Sequence, residues 1–283
     1  MNTATAATLD QKAERLRQIL ADRSRMIVAY SGGVDSAFLA WIAHRVLGGE
    51  MLAVIADSAS LARTHLEDAL GFAREHEIPV EVVETQELEN PAYTRNDAMR
   101  CFHCKDELFT VLEGYREECG FDAIAYGVNA DDAGDFRPGQ QAALQHHVLA
   151  PLFEANLNKA EIRELARQAG LRVWDKPASA CLSSRLEYGR EVTPEALSVI
   201  ERGEDALRAM GFRQFRVRHH GEIVRIEIAR EELDRALNAD MARELTAVFK
   251  GLGFTFVTLD LEGFRSGSMN QLLTTEELLR GRA

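Results

Sequence analysis

Six consecutive residues, Ser31-Gly32-Gly33-Val34-Asp35-Ser36, lie between an apolar run, Met26 to Tyr30, and a stretch of helical periodicity, Ala37 to Val46. Two glycines let a backbone turn sharply and bring N–H groups close to an anion, and a helix that starts there aims its positive dipole end at the same point. Ser31 and Ser36 add hydroxyl donors. The loop is not the longer, lysine-ended kind that holds β and γ phosphates; it suits a departing pyrophosphate. The plainer alternative is a strand-to-helix turn with helix-capping serines. Asp35 beside such an anion is unfavourable unless a cation lies between the two or the carboxylate caps the helix.

Thiols form the second group. Cys101 and Cys104 are spaced i, i+3, which puts both on one face if that stretch is helical, while Cys181 lies in Pro177-Ala178-Ser179-Ala180-Cys181-Leu182-Ser183-Ser184-Arg185. A lone C-x-x-C is compatible with a redox pair, half a zinc site or two small core residues. Cys119 reads as a small core residue on an apolar-patterned helix. Asp57 and Ser58 close a second apolar run, where open α/β sheets bind ligands. Gly127-Val128-Asn129-Ala130-Asp131-Asp132 closes a later one, and offers either close backbone approach with two carboxylates for magnesium or a solvated acidic turn. Arg216 and Arg218 alternate along a strand and face one side together, as two arginines on a wet strand face would. His219 and His220 read as a turn.

The elements that must carry these groups alternate. Leu9 to Asp22 reads as a helix, Met51 to Ala56 as a buried strand, Ala62 to Glu75 as a helix, Pro79 to Thr85 as a strand, Lys105 to Glu118 as a helix, Ala123 to Gly127 as a strand and Lys159 to Ala169 as a helix stopped by Gly170. Such alternation predicts an α/β fold, a parallel sheet with helices on both faces. After Lys176-Pro177 the texture changes. Helix (Glu195 to Met210), two strands (Gln214 to Arg218, Glu222 to Ala229), helical segments (Glu231 to Leu237, Ala242 to Leu252) and a closing strand (Thr255 to Leu261) predict a smaller C-terminal α+β domain. The division is drawn as 1–178 and 179–283, and the tail after Asn270 reads as a charged helix.

Five stretches in chain order carry a resemblance: Tyr30 to Ser36, Arg100 to Lys105, Gly127 to Asp132, Lys176 to Arg185 and Phe215 to Gly221. Together they resemble the LarE family of ATP-dependent sulfur transferases, within the PP-loop or N-type ATP pyrophosphatase class. The resemblance implies assembly of the nickel-pincer nucleotide of lactate racemase-type enzymes: carboxylates of a pyridinium-3,5-biscarboxylic acid mononucleotide are adenylated by ATP, with release of pyrophosphate, and sulfur then displaces AMP. It implies that Ser31, Gly32, Gly33 and Ser36 cradle pyrophosphate. It places Asp35 and Asp131 on magnesium, and Asp57, Ser58, Gly127 and Asn129 along the nucleotide. Ser184 and Arg185 fall on the AMP phosphate, and Arg216 and Arg218 on the phosphate of the substrate. Sulfur comes either from a 4Fe-4S cluster held by Cys101, Cys104 and Cys181, reloaded by an external sulfide donor, or sacrificially from Cys181, which becomes dehydroalanine. Thiols matching all three cluster positions favour the first. Family members form hexamers built from trimers, and Glu227 and Asp234 are read either as metal ligands at a subunit contact or as solvating residues.

Global properties agree with a small-molecule enzyme. A net charge of −12 makes the surface repel polyanions, so nucleic acid is an unfavoured partner. No apolar run approaches the ~20 residues that span a bilayer, and the N-terminus has no signal-peptide core, so the chain is read as cytoplasmic. A PP-loop tRNA thiolase is the rival enzyme, and a nucleotide-binding sensor without chemistry is the rival of a different class.

Overall fold

The computed structural model describes residues 7–132, 138–177, 180–265, 268–269 and 274. The first half runs Leu9–Ala21 (α1), Met26–Ala29 (β1), Val34–Leu47 (α2), Met51–Asp57 (β2), Arg63–Glu75 (α3), Val80–Glu84 (β3), Pro91–Thr94 (α4), Arg100–Cys119 (α5), Ala123–Tyr126 (β4), Pro138–Gln145 (α6), Pro151–Glu154 (α7) and Lys159–Gln168 (α8). The second runs Pro194–Ala209 (α9), Phe215–His220 (β5), Ile223–Ile228 (β6), Leu233–Ala236 (α10), Ala239–Gly251 (α11) and Phe256–Leu259 (β7).

Local chemistry sets several of these boundaries. Thr8 and Gln11 form a reciprocal capping box that starts α1, and Asn158 and Glu161 do the same for α8. All four residues of β1 are buried, as expected of a central strand covered on both faces. The sheet is wholly parallel with order β3-β2-β1-β4. One core, centred on α1, α2 and α8, covers one face through Leu16, Leu20, Phe38 and Leu39, and Phe109 and Leu112 of α5 cover the other. The expected parallel α/β architecture is present. Its strand order reverses beside β1, since β2 follows on one side and β4 returns on the other. That reversal opens a crevice at the carboxyl ends of β1 and β4, where such sheets bind ligands.

The second sheet is mixed, with order β5-β6-β7: β5 and β6 pair antiparallel, β6 and β7 parallel. Its core joins Phe215, Val217 and Ile226 to Leu207 of α9 and Phe249 of α11, and it also takes in Ala62 and Tyr93 from the first half. The C-terminal α+β domain is therefore present and closes against the larger one.

Three details differ from the sequence expectation. Helix α5 starts at Arg100, earlier than Lys105, so Cys101 and Cys104 fall within its first five residues. The segment expected as one helix over 231–237 is a 3-10 turn, Arg230–Glu232, followed by the short α10. His219 and His220 end strand β5, and the turn comes at Gly221 (φ 68°). Positions 178 and 179, which flank the expected domain division, lie outside the described residues, as does the expected tail helix apart from Thr274. No helix among the described residues is long and apolar enough to cross a membrane.

Candidate active site

The loop between β1 and α2 is built for close approach. Gly32 has φ 70°, and a Cβ there would stand 2.5 Å from Cβ of Ala69 on α3. Gly127, just past β4, sits so close to α2 that a Cβ would lie 2.7 Å from the Ser36 nitrogen. Both positions therefore demand glycine. Ser36 Oγ accepts from Ser31 N (3.2 Å), lies 3.0 Å from Ser31 Oγ and donates to Gly33 O (3.2 Å), which fixes the loop's shape. Gly33, the N-cap of α2, makes no side-chain cap, so the first N–H groups of a 14-residue helix face the crevice with their dipole uncompensated by a capping oxygen.

Asp35 stands in the first turn of α2. Its Oδ2 accepts from Lys159 Nζ at 2.7 Å and from Asn129 Nδ2 at 3.3 Å. Its Oδ1 is buried and has no hydrogen-bond partner among the described residues. Buried polar atoms of this kind are nearly always satisfied, so an unfilled carboxylate oxygen beside the β1–α2 loop fits a magnesium ligand. The turn after β4 sets both of Asp35's partners: Asn129 contacts the carboxylate, and Asp131 Oδ2 accepts from the Lys159 backbone N–H at 2.9 Å. The structure thus uses Asp131 to start α8, and the side chain lying against Asp35 is Lys159. Lys176 reaches the same loop, with Nζ 3.3 Å from both Gly32 O and Asp68 Oδ2.

Asp57 pairs with Arg63 at 2.5 Å, and Ser58 Oγ accepts from Ser60 N at 3.1 Å. With Leu197, Ser198 and Glu201 of α9 they line an open cleft of about 290 Å³ between the two domains. Glu201 Oε1 caps α3 from across that cleft, accepting from Arg63 N at 2.6 Å.

The thiols belong to two segments joined by one arginine. Arg100, buried at the start of α5, donates to Ser183 O at 2.9 Å while its other nitrogen lies 4.0 Å from Cys101 Sγ. Cys101 is exposed, Cys104 and Cys181 half-buried, and all three are free. Burial first, and then the Cys181 charge, push the Cys104 thiol up to about 12. Burial also pushes Cys181 up, but Arg100, the Ser183 hydroxyl 3.1 Å away, Arg185 and the Ser184 N–H outweigh it, and the net direction is down. Among the described residues no group of three or more His, Cys, Asp and Glu side chains is arranged to hold a metal ion as they stand. Cys119 lies at the far end of α5.

Cys181 N-caps a 3-10 turn, Leu182–Arg185. Ser184 Oγ donates to Cys181 O (2.7 Å). Arg185, 1% exposed, commits Nε and Nη2 to Glu204 (2.8 and 3.2 Å) and Nη1 to Ala180 O and Cys181 O (2.7 and 2.9 Å). It holds the turn from inside. Arg216 and Arg218 share one face of β5 while Phe215 and Val217 fill the core on the other. Arg218 Nη1 donates to Ser184 O (3.1 Å), and its Nη2 donates to Glu227 (2.8 Å), which is fully buried and pairs with Arg225 as well. Arg216 lies over the Phe264 ring at 4.8 Å, and burial, then Arg185, push it down to about 10. The basic strand face thus abuts the thiol turn. Asp234 falls on α10 and takes no part in Glu227's ion pairs with Arg218 and Arg225.

Lys159, Arg100, Glu204 and His65 were not singled out from the sequence. Arg100 adjoins the C-x-x-C pair and Lys159 begins a helix, which are weak signals; nothing local marks Glu204. His65, on α3 beside Gly32, is pushed down to about 4 by burial, then by Lys176 and Arg185.

Comparison with known proteins adds a separate line. The family model described as NAD synthase matches residues 9–107. An uncharacterized protein of Synechocystis sp. is 43% identical over 94% of this chain and 99% of its own. The pyridinium-3,5-bisthiocarboxylic acid mononucleotide synthase of Lactiplantibacillus plantarum is 34% identical over 96% of this chain and 98% of its own. A glutamine-hydrolyzing GMP synthase of Rippkaea orientalis is 28% identical over 59% of this chain and 35% of its own.

Proposed function

The chain belongs to the LarE-type family of PP-loop enzymes that includes pyridinium-3,5-bisthiocarboxylic acid mononucleotide synthase, and on that footing we propose that it thiolates the carboxylates of pyridinium-3,5-biscarboxylic acid mononucleotide with ATP. The observation that carries the reading is that a glycine-turned helix N-terminus and a thiol-bearing turn both meet the segment 60–69, which runs from the loop after β2 into α3: Gly32 packs on Ala69, and Leu182 N donates to Ser60 O at 2.8 Å.

In the proposed reaction a substrate carboxylate oxygen attacks the α-phosphorus of ATP, the bond to the bridging oxygen breaks, and pyrophosphate leaves. The open N–H groups of α2 and the hydroxyls of Ser31 and Ser36 receive that anion. Asp35 would hold magnesium, which when bound offsets phosphate charge. Asp57, Ser58, Gly127 and Asn129 border the nucleotide, Ser184 meets the AMP phosphate, and Arg185 keeps the 181–185 turn in shape. Arg216 and Arg218 orient the substrate by its phosphate. Sulfur then attacks the activated carbonyl carbon and AMP departs.

For the sulfur source, Cys101 and Cys104 on one helix, with Cys181 in the turn that Arg100 ties to that helix, are the residues that would hold a 4Fe-4S cluster, which would supply an exchangeable sulfide. The downward shift of Cys181 supports a second reading, in which its thiolate forms the thioester and the Cys181 Cβ–S bond then breaks with loss of the Cα proton, leaving dehydroalanine. Product counted per protomer in anaerobically reconstituted protein, with the mass of the Cys181 peptide, separates the two. Repeated turnover with Cys181 intact, lost in Cys101→Ala and Cys104→Ala, is the expected outcome. A single turnover with loss of the elements of hydrogen sulfide selects the sacrificial route, and absence of any thiolated product refutes the function.

A further inference from the structure

The charge arrangement around Asp35 says more than that a metal can bind there. Asp35 Oδ2 is 2.7 Å from the Lys159 ammonium, and Asn129 holds the same oxygen, so the carboxylate is already neutralised while Oδ1 stays unpartnered among the described residues. Lys176 lies 3.3 Å from Gly32 O in the same loop, and the uncapped N-terminus of α2 adds its positive dipole end. Lys176 is itself paired with Asp68 at 3.3 Å, so the ammonium set directly against Asp35 is that of Lys159. An ammonium held that close to the carboxylate disfavours a bare divalent cation there, and the phosphates of an anionic nucleotide can compensate it instead.

We infer that Lys159 is an internal counter-ion that keeps Asp35 from taking a divalent metal until nucleotide delivers it, which makes metal loading ordered. The inference rests on the ATP-dependent reading of this site and deepens it. Two features make Lys159 suited to the part. Its backbone is fixed independently, by Asp131 Oδ2 on its N–H, so the ammonium is placed by the start of α8 rather than by Asp35 alone. Its side chain is 34% exposed, so the ammonium can turn aside without unpacking the core. On entry of a metal–nucleotide complex, the open Oδ1 of Asp35 would be available to hold the metal while the phosphates compensate Lys159. No bond to Lys159 is made or broken beyond the exchange of one hydrogen-bonded ion pair for another.

Free Mn2+, counted by its electron paramagnetic resonance signal, tests this with no turnover required. In nucleotide-free protein, Lys159→Met and Lys159→Gln are expected to bind Mn2+ about ten-fold or more tightly than the unsubstituted chain, and Lys159→Arg to match it. Asp35→Asn added to Lys159→Met should abolish the gain, which locates it at this carboxylate. Folding of each variant is read from its thermal transition, and either neutral variant suffices if the other does not fold. Equal or weaker Mn2+ binding in the folded neutral variants overturns the inference. Because the readout is metal occupancy, it stands or falls whether or not the pyridinium nucleotide is thiolated; failure of ATP to bind at all would instead remove the reading beneath it.

Discussion

A histidine that refuses a proton sits beside the phosphate loop. Burial, then Lys176 and Arg185, hold His65 near 4, against an ordinary value of 6.5. An unfolded chain takes up that proton on acidification before the folded one does, so the native state loses stability as pH falls from about 6.5 towards about 4. Replacing His65 with Asn should flatten this part of the stability profile by up to about 1.4 kcal/mol per pH unit, read by urea unfolding across the window. An unchanged profile would mean that His65 is protonated in the fold. Nothing in the sequence announces this residue, because its environment is made by Lys176 and Arg185, far away in the chain. The same holds for Arg185. Its type suggested phosphate, and only the fold reveals that Glu204, from α9, occupies its fork.

At the scale of elements the sequence was far more legible, for a physical reason. The β1 strand, its glycine turn and α2 are contiguous, so their hydrophobic period and turn residues specify each other locally. The parallel sheet followed from strand–helix alternation, and the C-terminal α+β domain from its change. What periodicity missed were short pieces, such as α4 and α7, which are too brief to show a period. It also missed the true start of α5, whose first turn is polar and reads as loop. The glycine turn yields a sharp expectation. Gly32→Ala would put a Cβ 2.5 Å from Ala69 at φ 70°, and should lower stability by about 1–3 kcal/mol while displacing the N–H groups that face the crevice. Thermal denaturation and pyrophosphate-binding titrations measure the two effects. A neutral result in both would show the loop to be pliable.

Over the whole molecule the two domains are distinct in sheet but not in core. Ala62 and Tyr93 are buried in the second cluster, with Leu88 and Cys104 packed against it, and Tyr93 OH meets Ser60 Oγ at 2.5 Å. We place the division at 178/179 as a proposal that this shared core makes testable. Residues 1–177 produced alone should expose that apolar patch and aggregate, and co-production with 180–283 should restore a soluble pair, read by size-exclusion chromatography. Two independently soluble fragments would contradict a shared core.

The bond from Leu182 N to Ser60 O ties the cysteine turn to the segment that follows β2. Both partners are peptide groups, which every residue but proline supplies in full. Side chains on either side can therefore drift over evolutionary time without cutting this tether. The mutual placement of sulfur and nucleotide is in that respect heritable as main-chain geometry, insulated from most single-residue change.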